Sequence, residues 1–273
     1  MEFLLGKPAA DLIKEKVKNE VLSLPRKPKL VILLNNEDDS SKGYVRSLLK
    51  VGLSLEIDVQ VIEMDHNENN YVNKIIECNN DKSIDSILVT RPLAKGIDEN
   101  KILSLIAPFK DVDALNPLCL GKLLSGDESL TPNTALAIIK LVEYYNIPLK
   151  GKKVLVVGRS LSVGKPAALL FLNRHATVTI AHSRTENLDL LLKDYDIVVG
   201  AVGKPHLLKG NLMKKGAIAL DAGIHYLEDK IIGDIQSSDN LSYISKVPGG
   251  VGTLTTACLF ENVLACYKEN NHD

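Results

Sequence analysis

The sequence predicts an α/β fold in two domains, and three observations carry that prediction. Strand-length apolar runs alternate with helix-length amphipathic stretches through most of the 273 residues, an order that builds a mostly parallel sheet covered by helices. Pro148-Leu149-Lys150-Gly151 interrupts the alternation near the middle, where proline and glycine punctuate the chain. A second alternation then begins at Lys153 with an apolar strand, a glycine-bearing turn and a helix start.

In the first half, residues 30–34 read as a strand and 41–53 as a helix that Ser41 would cap. Residues 57–63 form the next strand and 71–79 the next helix, and 86–89 form a strand that runs into Arg91-Pro92. Residues 99–106 are helical, and 131–145 make one long helix, with Thr131 as its cap and Pro132 in its first turn. In the second half the strands fall at 153–157, 177–181, 197–201 and 217–221, with helices at about 164–173 and 188–193. A last helix, 253–268, follows a glycine-rich turn. The expected domains are residues 1–148 and 149–252, and the final helix, about 253–273, can pack on the first of them.

Composition narrows the function classes. The chain is 45% apolar and 25% charged, with a formal net charge of -1. It has apolar residues enough for two cores and no excess charge to hold a polyanion, so no nucleic-acid partner is expected. Cys78, Cys119, Cys258 and Cys266 form no CxxC pair and no metal-ligand spacing with histidine, so free thiols and no metal are expected. The first twelve residues, with Glu2 and Pro8, lack the apolar core of a signal peptide, and the longest apolar runs are strand-length. A cytoplasmic protein with no membrane partner is the expectation.

Three sequence features point to a ligand. Val154-Leu155-Val156-Val157-Gly158-Arg159-Ser160 leads through Val163-Gly164 to Pro166 as strand, tight loop and helix start. Gly158 allows the turn, Gly164 allows close approach at the helix N-terminus, and amides there favour a phosphate. The spacing departs from GxGxxG, so alone it is a weak dinucleotide signal. The end of the next strand lacks the acidic residue of an NAD site and has His182-Ser183-Arg184-Thr185 instead. A hydroxyl and a guanidinium there suit the 2′-phosphate of NADP, and Arg159 and Ser160 could reach the same group. Thirdly, Val247-Pro248-Gly249-Gly250-Val251-Gly252 concentrates glycine just before the last helix, as a turn or as a close approach to a ligand edge.

Together these pieces resemble the bifunctional methylenetetrahydrofolate dehydrogenase/cyclohydrolases. Gly158-Arg159-Ser160 with Val163-Gly164 and Pro166, His182 to Thr185, Asp221-Ala222-Gly223-Ile224, Gly233-Asp234 and Pro248 to Gly252 occur in that family's order. In the first half, Leu5-Gly6-Lys7-Pro8-Ala9 resembles its opening segment. Tyr44-Val45 sits where its catalytic helix begins, Ile87 to Leu93 resembles its ILVQLPL, Lys110 to Asp113 its KDVDG, and Leu130-Thr131-Pro132 its CTP motif. The resemblance covers nearly the whole chain. It implies an N-terminal substrate and catalytic domain, a C-terminal Rossmann-like NADP-binding domain, folate in the cleft between them, and a homodimer. It implies that Asp113 holds the pterin, that Tyr44 stacks on or hydrogen-bonds the folate, and that Thr90 and Pro248, Gly249 and Gly250 line the substrate site. Gly158, Arg159, Ser160, Gly164, Ser183, Arg184 and Ile224 are the expected cofactor residues.

The implied chemistry divides in two. Hydride transfer from the bridging methylene of the folate needs two rings held face to face and no side chain to take a proton. Cyclohydrolysis of the methenyl product needs a positioned acid/base. The family's lysine for that step, four residues after the tyrosine, is Leu48 here, and its glutamine is Thr90. Helical spacing predicts that Leu48 faces the same side as Tyr44, with Arg46 and Lys50 turned away. Arg91 follows Thr90, but a guanidinium stays protonated and could only stabilise charge or bind the folate's acidic tail. The expected activity is an NADP-dependent methylenetetrahydrofolate dehydrogenase in one-carbon metabolism with a weak or lost cyclohydrolase. A fully bifunctional enzyme using another acid/base, a different two-domain oxidoreductase, and a non-catalytic NADP- or folate-binding protein are the alternatives. His182 and His225 are expected to be structural.

Overall fold

The computed structural model describes residues 1–35, 38–227 and 230–271. The chain opens with β1 (Glu2–Leu4), α1 (Gly6–Leu22), β2 (Lys29–Asn35), α2 (Asp39–Ser54), β3 (Asp58–Met64), α3 (Glu68–Asn80) and β4 (Ser86–Val89). Helices α4 (Glu99–Leu105), α5 (Pro117–Leu124) and α6 (Asn133–Tyr144) follow. Next come β5 (Lys153–Val157), α7 (Gly164–Asn173), β6 (Thr177–Ala181), α8 (Leu188–Leu191), β7 (Ile197–Gly200), β8 (Leu208–Lys209) and β9 (Ile218–Asp221). The chain closes with β10 (His225–Leu227), β11 (Lys230–Ile232), β12 (Ile235–Gln236), β13 (Tyr243–Ser245) and α9 (Val251–Asn270).

These elements form two compact units, each assembled from separate stretches of chain: Met1–Leu12 with Pro132–Cys258, and Ile13–Thr131 with Leu259–Asp273. The division differs from a single boundary at 148. β1 adds in parallel to β13, pairing Glu2 with Tyr243 and Leu4 with Ser245, and α6 packs on α7. Both therefore belong with the second half of the sequence. Conversely Leu259, Phe260, Val263 and Leu264 of α9 complete a core with Leu30, Ile32 and Leu48 of the first half.

The unit built around residues 13–131 has a parallel sheet in the order β3-β2-β4. Leu30, Ile32 and Leu34 of β2 face one apolar cluster and Val31 and Leu33 the other. Coverage on both faces explains why β2 is an unbroken apolar run instead of an alternating one. The α2 helix starts earlier than expected: its cap is Asp38, whose carboxylate accepts from the Ser41 amide at 2.9 Å and from the Ser41 hydroxyl at 2.5 Å. Ser41 is thus the residue being capped, not the cap. The preceding Asn36 and Glu37 lie outside the described residues.

The other unit has a six-stranded, wholly parallel sheet, β1-β13-β9-β7-β5-β6. Counting from β5, its strands run 2-1-3-4-5, one of the two common doubly wound orders, with the reversal between β5 and β7. Val154, Leu155, Val156 and Val157 of β5 are fully enclosed, as a strand covered on both faces must be. Helix α6 begins at Asn133 with Pro132 in the cap position and no side-chain cap. Thr131 does not cap it, because its hydroxyl donates to the Glu128 carbonyl instead. Helix α9 starts at Val251, so Gly252 lies inside its first turn. Among the described residues no helix is long and apolar enough to cross a membrane.

Candidate functional site

At the carboxyl ends of β5, β6 and β7 lies a cavity of about 430 Å³ lined by Gly158, Arg159, Ser160, Ser183, Val202 and Lys204, among others. This is the switch point of the sheet, where open α/β folds bind ligands. Gly158 has φ +134, and a Cβ there would collide with the Ala201 carbonyl on β7's extension. A Cβ on Gly164 would collide with the Gly158 carbonyl. The two glycines thus let the α7 N-terminus close on the strand end. Ser160 accepts from the Val163 amide at 3.2 Å and the Gly164 amide at 3.4 Å, which ties the loop to the first turn of α7. Beyond it, the Ser183 turn is held by the His182 amide donating to Thr185 Oγ1 at 2.9 Å and the Arg184 amide donating to His182 Nδ1 at 3.1 Å. The cavity lining contains Arg159 and Lys204 and no carboxylate, a donor set suited to a polyanionic nucleotide. Gly158, Arg159, Ser160 and Ser183 therefore meet as expected, whereas Gly164 and Arg184 are outside the lining. The missing side chain of Gly164 lets the start of α7 pack against Gly158.

The same unit has a second cavity of about 250 Å³, lined by Ala222, Gly223, Ile224, Pro248 and Gly249, among others. It joins Ile224, expected to contact cofactor, to Pro248 and Gly249, expected to contact substrate. Gly250 is buried beneath that turn, its amide donating to the Lys246 carbonyl at 2.6 Å. The Gly6 amide donates to the Gly249 carbonyl at 2.8 Å, so the opening segment braces the glycine turn.

Two enclosed carboxylates support these walls. Asp234 accepts from the amides of Val202 at 2.7 Å, Gly203 at 3.2 Å and Lys204 at 2.9 Å, and its Oδ1 lies 2.8 Å from His225 Nε2. It fixes the turn that forms one side of the larger cavity. Asp221 accepts from the amides of Gly223, Asp234 and Ile235. Burial pushes its pKa up to about 6, against the pull of those amide bonds. His225 thus buttresses the cavity wall through Asp234.

In the other unit, Tyr44, Arg91 and Asp113 gather. Arg91 Nη2 is 3.8 Å from Asp113 Oδ2, and Arg91 Nη1 is 3.6 Å from Glu99 Oε1. The Tyr44 ring is 39% exposed, yet desolvation of its hydroxyl, with the Asp113 charge, raises its pKa well above the phenol range while Arg91 opposes. Tyr44 is therefore a protonated donor at any physiological pH. The Asp113 turn is held from below by Asp111, fully enclosed, which accepts from the amides of Asp113 at 3.2 Å and Asn116 at 2.6 Å. Lys110 anchors the same turn, donating to the carbonyls of Cys78, Asn79 and Asp81 at the end of α3. Ala114, at the family's glycine position, takes φ +53. The left-handed turn thus survives the loss of glycine, with a methyl group in a conformation that favours glycine.

Leu48 does not share Tyr44's surroundings. It is fully enclosed on the buried stripe Ser41, Val45, Leu48 and Gly52, packed among Val45, Leu55 and Phe260. A spacing of four residues puts the two on one side of α2, yet Leu48 is fully buried and Tyr44 is exposed. Arg46 and Lys50 are exposed, as expected. Thr90 is buried too: its Oγ1 accepts from the Asn35 amide at 3.0 Å and donates to the Leu33 carbonyl at 3.4 Å. Its hydroxyl serves β2. Lys204 and Val202 escaped the sequence reading, and Asp234 stood in it as a motif without a role. A signal existed for the first two, since they follow the β7 strand end as Gly158 follows that of β5.

Comparison with known proteins adds two family models. The tetrahydrofolate dehydrogenase/cyclohydrolase catalytic domain matches residues 4–113, and the NAD(P)-binding domain of the same description matches residues 132–271. The bifunctional protein FolD of Hydrogenobaculum sp. (strain Y04AAS1) is 41% identical over 278 residues, 98% of this chain and 99% of its own. The crystal structure of the bifunctional methylenetetrahydrofolate dehydrogenase/cyclohydrolase FolD from Campylobacter jejuni superposes with a TM-score of 0.95 at 36% identity, covering 98% of this chain and 99% of its own. The Trypanosoma brucei enzyme, complexed with NADP cofactor and inhibitor, superposes with a TM-score of 0.92 at 30% identity, covering 99% and 98%.

Proposed function

The chain belongs to the tetrahydrofolate dehydrogenase/cyclohydrolase family, and from that premise we propose how it divides the family's two reactions. It is an NADP-dependent methylenetetrahydrofolate dehydrogenase of one-carbon metabolism; its cyclohydrolase step is weak or lost. The observation that carries the division is the enclosure of Leu48 in an apolar core.

For the oxidation, bound NADP supplies a hydride acceptor for the bridging methylene carbon. The chain's own work is orientation. Gly158, Arg159, Ser160 and Ser183 would receive the nucleotide's phosphates and ribose, with Lys204 as a further cation. Ile224, Pro248 and Gly249 would border the reacting ring. Tyr44 and Asp113 would hold the folate, the tyrosine as a protonated donor and the carboxylate as an acceptor for the pterin's N–H groups. None of these roles requires a proton to leave a side chain.

Hydrolysis does require one. Leu48 offers no titratable group, the Thr90 hydroxyl is spent on the β2 backbone, Arg91 stays protonated, and the pKa of Tyr44 lies too high for a base. Supplied with 5,10-methylenetetrahydrofolate and NADP, the purified protein should form NADPH while the methenyl species accumulates well above its spontaneous hydrolysis level, followed by absorbance of both. Rapid enzymatic clearance of the methenyl species would show that another group performs the acid/base chemistry. That second reading, full bifunctionality, draws support from the bifunctional relatives. A homodimer in the cytoplasm completes the proposal, drawn from the family resemblance.

A further inference from the structure

Arg91 is a departure that the oxidation itself does not need. It stands where the family's ILVQLPL has leucine, next to Thr90 and in the same structural unit as Tyr44 and Asp113. Its guanidinium is drawn between Asp113 at 3.8 Å and Glu99 at 3.6 Å, both longer than a hydrogen bond, with the side chain about one-third exposed. A guanidinium has five N–H donors in a rigid plane, more than two long ion pairs engage. The structure therefore sets a donor beside the Asp113 acceptor, with the Tyr44 hydroxyl close enough to feel both charges.

That pairing matches one heterocycle edge. A 2-amino-4-oxopteridine presents N–H donors at the 2-amino group and N3, and an acceptor at the adjacent 4-oxo oxygen. A carboxylate satisfies the first two, and a neighbouring guanidinium satisfies the third. We propose that Arg91 is a specificity-determining residue that donates to the 4-oxo group of the substrate's pterin, making this chain selective for 4-oxo over 4-amino pteridines. The proposal rests on the reading that Asp113 holds the pterin. Selectivity follows because a 4-amino group turns its own donors toward the guanidinium and leaves that donor unpaired, which sites built on hydrogen bonds penalise heavily.

The test uses the full-length protein and a matched pair of fluorescent pteridines, one 2-amino-4-oxo and one 2,4-diamino, titrated directly by pteridine fluorescence, which the tryptophan-free chain does not obscure. Wild type should bind the 4-oxo compound more tightly, by about ten- to a hundredfold for one charge-assisted bond gained against one left unpaired. In Arg91→Leu that ratio should fall, leaving only the part due to the N3–H that Asp113 reads and the 4-amino form lacks, and Arg91→Lys, which keeps the charge without the planar fork, should hold more of it than the leucine variant. In turnover, Arg91→Leu should raise KM for 5,10-methylenetetrahydrofolate more than it lowers kcat. An unchanged binding ratio in Arg91→Leu overturns the proposal. So does a rise in KM confined to substrates bearing the glutamate tail, because Arg91 would then read the tail. Absence of NADPH formation by the wild type would instead refute the dehydrogenase reading, and the binding ratio would still decide the role of Arg91.

Discussion

Asp111 is held by backbone amides of the turn that carries Asp113. Burial first, then the nearby Asp113 charge, pushes its pKa up to about 7, and the amide bonds from Asn116, Leu115 and Asp113 pull the other way. The folded-state value lies above the ordinary carboxylate value of about 3.9, so between about pH 4 and 7 the native chain binds more protons than the unfolded one. Its contribution to stability is therefore full below pH 4 and is lost as pH rises through 7. Urea denaturation of Asp111→Asn should show a flatter dependence on pH across that window than wild type, and parallel curves would refute the assignment. Asp221, raised for the same leading reason, contributes to the slope that remains in both proteins. Leu48 shows the limit of single-residue reading. Its identity at the lysine position was plain in the sequence, but helical spacing alone put it beside Tyr44, and only packing against β2 and α9 assigned it to the core.

Among the elements, the turn after β7 shows how a loop is made rigid enough to form a binding wall. Three successive amides, those of Val202, Gly203 and Lys204, point at the one carboxylate of Asp234. An asparagine there keeps one acceptor oxygen but sets an NH₂ donor among donors, leaving at least one of the three turn amides without its partner. Asp234→Asn should raise KM for NADP by about tenfold or more while changing KM for the folate much less, read from initial rates with each substrate varied in turn. Equal effects on both would mean that Asp234 serves overall stability and not the nucleotide wall. The sequence showed Gly233-Asp234 as a motif without a purpose, because the partners lie about thirty residues upstream and meet it only through the sheet. The strands β2, β4, β5, β7 and β9 were legible because each is a short, nearly continuous apolar run that is buried almost throughout. Helices α1 and α5 were missed, and β1, β8 and β10 to β13 are too short for a periodic signal.

For the whole molecule, the chain passes between its two compact units at residues 12–13, 131–132 and 258–259. A fragment of residues 1–148, cut where the sequence breaks, would carry α6 without its partner α7 and would lack Leu259, Phe260, Val263 and Leu264. Removing four large side chains from one core costs on the order of 10 kcal/mol in total, each deletion being worth about 2–5 kcal/mol, against a typical domain stability of about 5–15 kcal/mol. The fragment should therefore melt without a cooperative transition by circular dichroism, while the full-length chain melts cooperatively. A cooperative melt of the fragment would mean that the first half holds a sufficient core of its own.

The sequence by itself determined the α/β class, the order of the main strands, the glycine loop after β5, the family, and the replacement of its lysine and glutamine by Leu48 and Thr90. Those features are local, written in apolar runs, turn residues and short motifs that a linear reading can see. Tertiary structure alone decided that the ends of the chain belong with its opposite halves, that Leu48 is core, that Thr90 spends its hydroxyl on β2, and that Arg91 lies between Asp113 and Glu99. Each of these depends on partners far apart in sequence. A side chain's environment is set by what packs across from it, and no spacing along one segment contains that information.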